Sequence, residues 1–174
     1  MTPEEAVAGF SNAAVIAVWA MFILSDGLTR TGIANVIGRT VLGLAGRNER
    51  RMIVVVMLTA GVLSAFMNNI GVAALMLPVV IEIARRTRIP ASRLLMPLAY
   101  GCLLGGLTTM IGTPPNLLIS GALQLAGESP FGLFDFTPIG GAVLILGTLF
   151  MALVARYLLP RIKPEETQRR SQRN

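Results

Sequence analysis

Two polar interruptions, each near the middle of a long apolar segment, carry the residues whose types could do chemistry. The first interruption is Ser64–Gly71 within segment 52–84, and the second is Gly112–Asn116 within segment 94–126. A chain that unwinds there exposes carbonyl oxygens from the helix that ends and amide groups from the helix that begins. Carbonyl, Asn and Ser/Thr oxygens suit a hard cation such as sodium, whereas a helix N-terminus favours an anion. The paired interruptions therefore predict adjacent cation and anion sites.

Helix-end signals locate the backbone of these sites. Thr113 is predicted to cap a helix, with Pro114 at the first helical position, where its missing N–H costs nothing. Gly112 lets the backbone leave helical geometry just before. Asn69 is predicted to cap the helix that returns from the first interruption. Because neither apolar segment contains any Lys or Arg, a bound anion would be held by amides, helix ends and a co-bound cation.

Several of these polar residues also have a purely structural interpretation. Asn68 and Asn69 could simply bond helices together, as polar residues in membrane bundles do. The pair Gly105–Gly106, with Thr108 and Thr109, favours close helix packing over ligand contact.

Two acidic residues in the apolar segments are open to a second interpretation. Asp26 could act in an intramembrane proton relay, but it lies four residues before Arg30, which favours an interfacial ion pair. Glu82, which precedes two arginines, has the same interpretation. Two prolines are predicted to kink helices without touching substrate: Pro78 and Pro97.

The composition indicates a protein that lies in lipid. Of 174 residues, 53% are hydrophobic and only 14% are charged, whereas a soluble domain carries about a quarter charged residues. The net charge of +6 does not indicate nucleic-acid binding, because the basic residues flank apolar runs. One cysteine, Cys102, and no histidine exclude a disulfide and histidine chemistry within this chain. With no nucleophile–base pair or metal cluster in the sequence, we expect a protein that is not an enzyme.

The basic residues predict the topology. They form three clusters: Arg30, Arg39, Arg47, Arg50 and Arg51; Arg85, Arg86, Arg88 and Arg93; and Arg156, Arg161, Lys163, Arg169, Arg170 and Arg173. The positive-inside rule places all three clusters in the cytoplasm. Segment 11–29 then enters the cytoplasm, 94–126 leaves as a broken helix and 137–158 returns. We expect a multi-pass protein of the inner cell membrane, with an external N-terminus and a cytoplasmic C-terminus.

Segment 52–84 has cytoplasmic charge at both ends, so it must enter and return on the same side. It is predicted to be a re-entrant hairpin of two half-length helices, with its turn at Asn68–Asn69; one long tilted helix is the alternative. Residues 31–47 have an amphipathic pattern typical of a helix on the membrane surface, and a packed connector is an equal alternative. The expected organisation is a membrane domain over 1–160 and a basic cytoplasmic tail or linker over 161–174, and the fold class is all-α integral membrane.

The two interruptions resemble the divalent anion/sodium symporter family of the ion-transporter superfamily, which includes citrate-transporter-like permeases. The resembling residues are SAFMNNIGVAALMLP from Ser64 to Pro78 and LLMPLAYGCLLGGLTTMIGTPPN from Leu94 to Asn116. The resemblance covers roughly residues 3–160. It implies a carrier built from inverted repeats, each with a hairpin and a broken helix, and an elevator-like displacement of these elements.

The resemblance also implies functional residues. It implies a sodium site formed by Ser64, Asn68, Asn69, Gly112 and Thr113. It implies a substrate site formed by Asn69, Ile70, Thr113, Pro115 and Asn116. The family's first hairpin ends in Ser-Asn-Thr, whereas this chain has Asn68-Asn69-Ile70, which places dicarboxylate specificity in doubt.

The expected function is half of a secondary carrier that moves a sulfate-like anion or a di- or tricarboxylate with sodium, which acts as the coupling ion in place of any cofactor. We expect only the N-terminal repeat here, so the expected partners besides lipid and substrate are a missing second repeat or a second copy of the chain, with no nucleic acid. The alternatives are an inactive membrane fragment or assembly partner, and an arsenite or proton-type permease of the same superfamily.

Overall fold

The computed structural model describes residues 13–32, 36, 40 and 48–158, which form α-helices and no β-strand. The helices are α1 Ala13–Arg30, α2 Glu49–Ser64, α3 Asn69–Thr87, α4 Ser92–Gly106, α5 Pro114–Leu125 and α6 Thr137–Leu158. The predicted all-α class is confirmed. Two predicted elements lie outside the described residues. They are the tail over 161–174 and the surface helix over 31–47, of which only Thr31, Gly32, Val36 and Thr40 are described.

The helix ends follow from local sequence. Asn48 caps α2, its side-chain oxygen accepting the Arg50 N–H at 3.1 Å. α3 ends in the left-handed conformation at Arg88, with φ of 58°, and α5 is followed by Gly127 with φ of 83°. In both cases the next N–H bonds a carbonyl in the last turn of the helix, which is the Schellman pattern of a helix C-terminus.

α2 and α4 run parallel and in constant register. The contacts that join them are the ion pair of Glu49 with Arg93, the close approaches of Met57 to Gly101 and of Gly61 to Gly105, and the hydrogen bond of Ala65 with Thr109. Each pair is separated by 44 residues in sequence. A constant separation over four turns requires two helices that point the same way, and glycine at the contact lets their backbones approach closely.

α3 therefore runs back along α2, because it joins the end of one parallel helix to the start of the other. The connection between α2 and α3 is a turn over residues 65–68, so the alternative of one long helix over 52–84 is wrong. With 16 and 19 residues, α2 and α3 are about 24 and 28 Å long. Both helices are longer than the predicted half-length, because they extend beyond segment 52–84, α2 to Glu49 and α3 to Thr87.

The core lies between α2, α3 and α4. Its largest fully buried members are Met52, Ile53, Val56, Met57, Met67, Val72, Met76, Val80 and Leu94, and Met151 of α6 packs against them. α6 packs on α2 and α4, whereas α1 packs on α3 and α5. Large apolar side chains also cover the outside, including Trp19 at 63%, Ile23 at 73% and Ile139 at 76% exposure. Apolar side chains on both the inside and the outside suit a protein surrounded by lipid.

Among the described residues, α6 is the helix long and apolar enough to cross a membrane, over Thr137–Val154. Its bounds coincide with the predicted crossing 137–158. The predicted crossing 11–29 corresponds to α1, with residues 11 and 12 outside the described residues. The predicted broken helix 94–126 consists of α4 and α5, separated by non-helical residues 107–113, which are called the break below.

Candidate ion-binding junction

The turn at 65–68 and the break at 107–113 lie side by side because α2 and α4 are parallel and in register. α2 ends at Ser64 and α4 ends at Gly106, so the carbonyl ends of two helices are adjacent. α3 and α5 begin at the same place. The region where turn and break meet is called the junction, and it contains Ser64, Ala65, Asn69, Gly106, Thr109, Gly112 and Asn116.

The Ser64 hydroxyl holds the turn against α4. Ser64 is fully buried, and its Oγ lies 2.5 Å from Asn69 Oδ1 and 2.8 Å from the Cys102 carbonyl oxygen. A serine hydroxyl has one proton, so it can be donated to only one of these two acceptors at a time. The Ser64 hydroxyl thus joins the end of α2 to both the start of α3 and the backbone of α4.

Two glycines allow oxygen atoms to crowd together. A Cβ at Gly112 would lie 2.6 Å from the Gly106 carbonyl oxygen and 3.0 Å from the Ser64 carbonyl oxygen. A Cβ at Gly106 would lie 2.6 Å from Asn69 Oδ1. A side chain at Gly112 would collide with backbone, so that position requires glycine, whereas one at Gly106 would force the Asn69 side chain to shift. The carbonyl oxygens of Ser64 and Gly106 and the side-chain oxygen of Asn69 thus lie close together beside Gly106 and Gly112.

Asn116 reaches back from the first turn of α5 across the break. Its amide nitrogen lies 2.8 Å from the Thr109 carbonyl oxygen and 3.5 Å from the Gly106 carbonyl oxygen, and the residue is 6% exposed. The amide has two N–H donors, and both point to backbone carbonyls. The side-chain oxygen is the atom left to contact a ligand, and it suits a cation better than an anion.

The N-terminus of α5 has few N–H groups to offer. Thr113 is the extended N-cap, with φ of −146° and ψ of 140°, as predicted, but its side chain makes no capping hydrogen bond. The next two residues, Pro114 and Pro115, have no N–H, and the Asn116 N–H bonds the Thr113 carbonyl oxygen at 3.1 Å. Any attraction of this helix end for an anion comes from its dipole and not from hydrogen bonds.

The N-cap of α3 is Asn68, so the prediction that Asn69 caps this helix is wrong. The Asn68 side-chain oxygen accepts the Ile70 N–H at 3.1 Å. Asn69 is already helical, and its side chain turns toward Ser64 instead. The two adjacent asparagines therefore face different parts of the structure.

Comparison with protein families matches residues 1–174 to the citrate transporter family. The chain belongs to this family. It is similar to the uncharacterized transporter YfbS of Escherichia coli strain K12, with 44% identity over 91% of this chain and 26% of the relative. It is also similar to sodium/sulfate cotransporter 1 of Chlamydomonas reinhardtii, with 36% identity over 92% of this chain and 19% of the relative.

A more distant relative is the sodium-dependent dicarboxylate transporter SdcS of Staphylococcus saprophyticus, with 24% identity over 91% of this chain and 33% of the relative. This member of the citrate transporter family thus spans from about a fifth to a third of the length of these relatives. A family of transporters implies a membrane protein. No solved structure matches the chain.

The structure brings together only some of the residues that the sequence singled out in this citrate transporter family member. Those at the junction are Ser64, Asn69, Gly112 and Asn116. Asn68 caps α3, Thr113 is half-buried, and Ile70 and Pro115 point outward, Ile70 with 76% exposure. The roles assigned to all of these residues remain predictions.

Sequence reasoning missed the backbone oxygens of Ala65, Cys102 and Gly106 and the hydroxyl of Thr109. A signal for them exists. Gly61-Val62-Leu63-Ser64 and Gly105-Gly106-Leu107-Thr108 have the same pattern of glycine, leucine and hydroxyl residue at the 44-residue separation. That repeat would have predicted two similar helix ends packed side by side.

The two acidic residues of the apolar segments form exposed ion pairs, as predicted. Asp26 bonds Arg30 at 2.6 Å, and Glu82 bonds Arg86 at 2.7 Å. Within the described part of the chain, no group of three or more His, Cys, Asp or Glu side chains could hold a metal ion. The junction residues themselves are Ser, Ala, Asn, Thr and Gly, so its ligands are neutral oxygens.

Proposed function

We propose that this chain contributes an ion-binding repeat to a membrane carrier that moves a small anion together with sodium. The observation that supports it is the meeting of two interrupted helices, whose carbonyl ends and Ser, Thr and Asn oxygens converge at one junction. Unwound carbonyls and helix C-terminal ends are the groups that coordinate sodium in secondary transporters.

Charge supports a cation at the junction. The C-termini of α2 and α4 each carry about half a negative charge, which favours a cation beside their exposed carbonyls, whereas the N-termini of α3 and α5 favour an anion on their side of the junction. The junction residues that the structure describes have no carboxylate or other group that titrates near neutral pH. This supports sodium over a proton as the coupling ion, and it disfavours the proton-type permease alternative.

The anion is proposed to lie beside the cation, against Asn69 and the N-terminus of α3. Ile70 gives this side an exposed apolar side chain where the family resemblance would have a hydroxyl. The relative named as a sodium/sulfate cotransporter is 36% identical to the chain, and the one named as a dicarboxylate transporter is 24% identical. A sulfate-like dianion is therefore the first substrate class to test, with di- and tricarboxylates second.

The proposed topology places α1 and α6 across the inner membrane and α2–α3 as a re-entrant hairpin, with the N-terminus outside. An elevator-like displacement would move the hairpin and the broken helix α4–α5 together. Their contacts within the junction support movement as one body. A second repeat or a second copy of the chain is the proposed partner.

The test is uptake of labelled sulfate into vesicles that contain the chain, with an inward sodium gradient or with choline at equal ionic strength. Sodium-dependent uptake supports the proposal, and labelled succinate in the same assay separates the two substrate classes. Uptake that is indifferent to sodium refutes the coupling.

Because the chain spans about a quarter of the length of its YfbS relative, cation binding should be measured separately from uptake. Cys102 is the sole cysteine, lies in the core at 2% exposure, and its carbonyl oxygen accepts the Ser64 hydroxyl, so we expect its thiol to react only when the packing around α4 opens. Sodium, but not choline, should slow its alkylation by N-ethylmaleimide. Protection without uptake would favour the alternative of an assembly partner.

A further inference from the structure

Thr109 joins the two interruptions through one hydroxyl. Its side chain is 2% exposed and donates to the Ala65 carbonyl oxygen, in the turn that follows α2. The Thr109 hydroxyl oxygen in turn accepts the Gly112 N–H at 3.1 Å. The backbone carbonyl of Thr109 also accepts the Asn116 side-chain amide at 2.8 Å. One residue thus links the hairpin turn, the break and the first turn of α5.

These hydrogen bonds restrain the backbone of the turn and of the break, which supplies the carbonyl oxygens of the proposed cation site. The Ala65 carbonyl lies one peptide after the Ser64 carbonyl, and Ala65 has helical φ and ψ of −62° and −28°, so the hydrogen bond from Thr109 restrains the backbone next to the Ser64 carbonyl oxygen. That oxygen lies 3.0 Å from the position of a Cβ at Gly112, whose N–H is the other partner of Thr109. The hydroxyl therefore sets the spacing between the turn and the break.

We propose that Thr109 is a positioning residue for the cation site. It need not contact the ion, since its proton is used on Ala65 and one lone pair on Gly112. Without it, the Ser64 and Gly112 backbone atoms would lose their fixed separation, and the site would bind sodium more weakly. The inference rests on the proposed function, because it assumes that the junction binds a cation.

Thr108 offers a matched control in the adjacent position. It is also buried, with 7% exposure, but its hydroxyl donates to Gly105 at 2.6 Å within the last turn of its own helix. Replacing either threonine by valine keeps the shape and removes the hydroxyl. Only at Thr109 does that change remove a bond between the two interruptions.

The experiment measures the sodium concentration that gives half-maximal protection of Cys102 from N-ethylmaleimide, in vesicles that contain the whole chain. Thr109→Val should raise this concentration about tenfold, the effect of leaving a buried carbonyl without its donor. Thr109→Ser, which keeps the hydroxyl, should restore it to nearly the original value. Thr108→Val should leave it unchanged. Equal effects of the two valine variants, or no rescue by serine, would overturn the positioning role.

Failure of the proposed function gives a different result. If sodium does not protect Cys102 in the unchanged chain, the cation site itself is refuted. The labelling rate in choline still tests the link between turn and break, since Thr109→Val should expose Cys102 faster than Thr108→Val does. Equal rates in choline would refute the link independently of any ion.

Discussion

At the residue scale, neighbouring positions of the same type differ because one contact is local and the other is not. Asn68 bonds Ile70 two residues away, whereas Asn69 bonds Ser64 across the turn. Thr108 bonds its own helix, whereas Thr109 bonds a residue 44 positions earlier. A local bond stabilises one helix end, and a non-local bond fixes two elements relative to each other.

This contrast predicts different results for the two asparagines. Asn68→Ala removes a cap and should cost about 1 kcal/mol of stability, with little change in the affinity for sodium. Asn69→Ala removes the contact with Ser64 and an oxygen of the junction, so it should lower sodium-dependent sulfate uptake at least about tenfold while membrane insertion is unchanged. Uptake and thermal unfolding in detergent, measured for both variants, distinguish the roles. Unchanged uptake by Asn69→Ala would exclude this residue from the site.

The residue types at the junction could be read from the sequence, but their assignments could not. Both asparagines have the side chain of a helix cap, and only the turn geometry decides that Asn68 is the cap. Pro115 and Asn116 were expected to face substrate together. The position of Asn116 within α5 turns its amide back onto Thr109, because that helix begins beside the end of α4.

At the element scale, the close pair α2–α4 depends on glycine. A Cβ at Gly105 would overlap the Gly61 backbone, whereas one at Gly141 of α6 meets nothing within 4 Å. The sequence predicted close packing at Gly105, but a glycine pattern does not reveal its partner helix. The contacts show the 44-residue register over four turns, whereas the sequence shows it only as the short repeat of 61–64 in 105–108.

Alanine at these two glycines should therefore have opposite effects. Gly105→Ala forces α2 and α4 apart and should destabilise the protein by about 1–3 kcal/mol or more. Gly141→Ala replaces an unhindered helical glycine and should stabilise it by up to about 1 kcal/mol. Thermal unfolding in detergent measures both. Equal stability of the two variants would contradict the close parallel packing.

A second element-scale prediction concerns the starts of α2 and α4. The Arg93 side chain is 5% exposed and pairs with Glu49, which is 33% exposed, at 2.6 Å. Glu49→Gln removes the carboxylate that faces the buried Arg93 guanidinium and should cost about 2 kcal/mol, less than for a fully buried pair because Glu49 is partly in solvent. Glu82→Gln, at the exposed pair with Arg86, should not measurably change the unfolding temperature. If neither Glu49→Gln nor Glu82→Gln changes the unfolding temperature, the Glu49–Arg93 ion pair does not fix the register of α2 and α4.

At the scale of the whole molecule, charge clusters and internal packing lead to the same arrangement by independent routes. The distribution of arginines predicted that segment 52–84 returns to the side from which it entered. The parallel register of α2 and α4 requires that α3 run back along α2, which is compatible with that prediction and makes no reference to a membrane. The sequence could not predict how far the turn lies from the open end of the hairpin. That distance depends on the lengths of α2 and α3, which are set by the caps at Asn48 and Arg88, outside the apolar segment.

The topology can be tested by placing single cysteines in a Cys102→Ala background. Arg51→Cys and Arg85→Cys lie at the open end of the hairpin, and Glu128→Cys lies in the loop that follows α5. With α2 about 24 Å long, too short to cross a hydrocarbon core of about 30 Å, the first two should react with a membrane-impermeant maleimide in inside-out vesicles only. Glu128→Cys should react in right-side-out cells only. Labelling of Arg51→Cys and Arg85→Cys from opposite sides would mean that α2 and α3 do not return together, and the junction of turn and break could not form in the membrane.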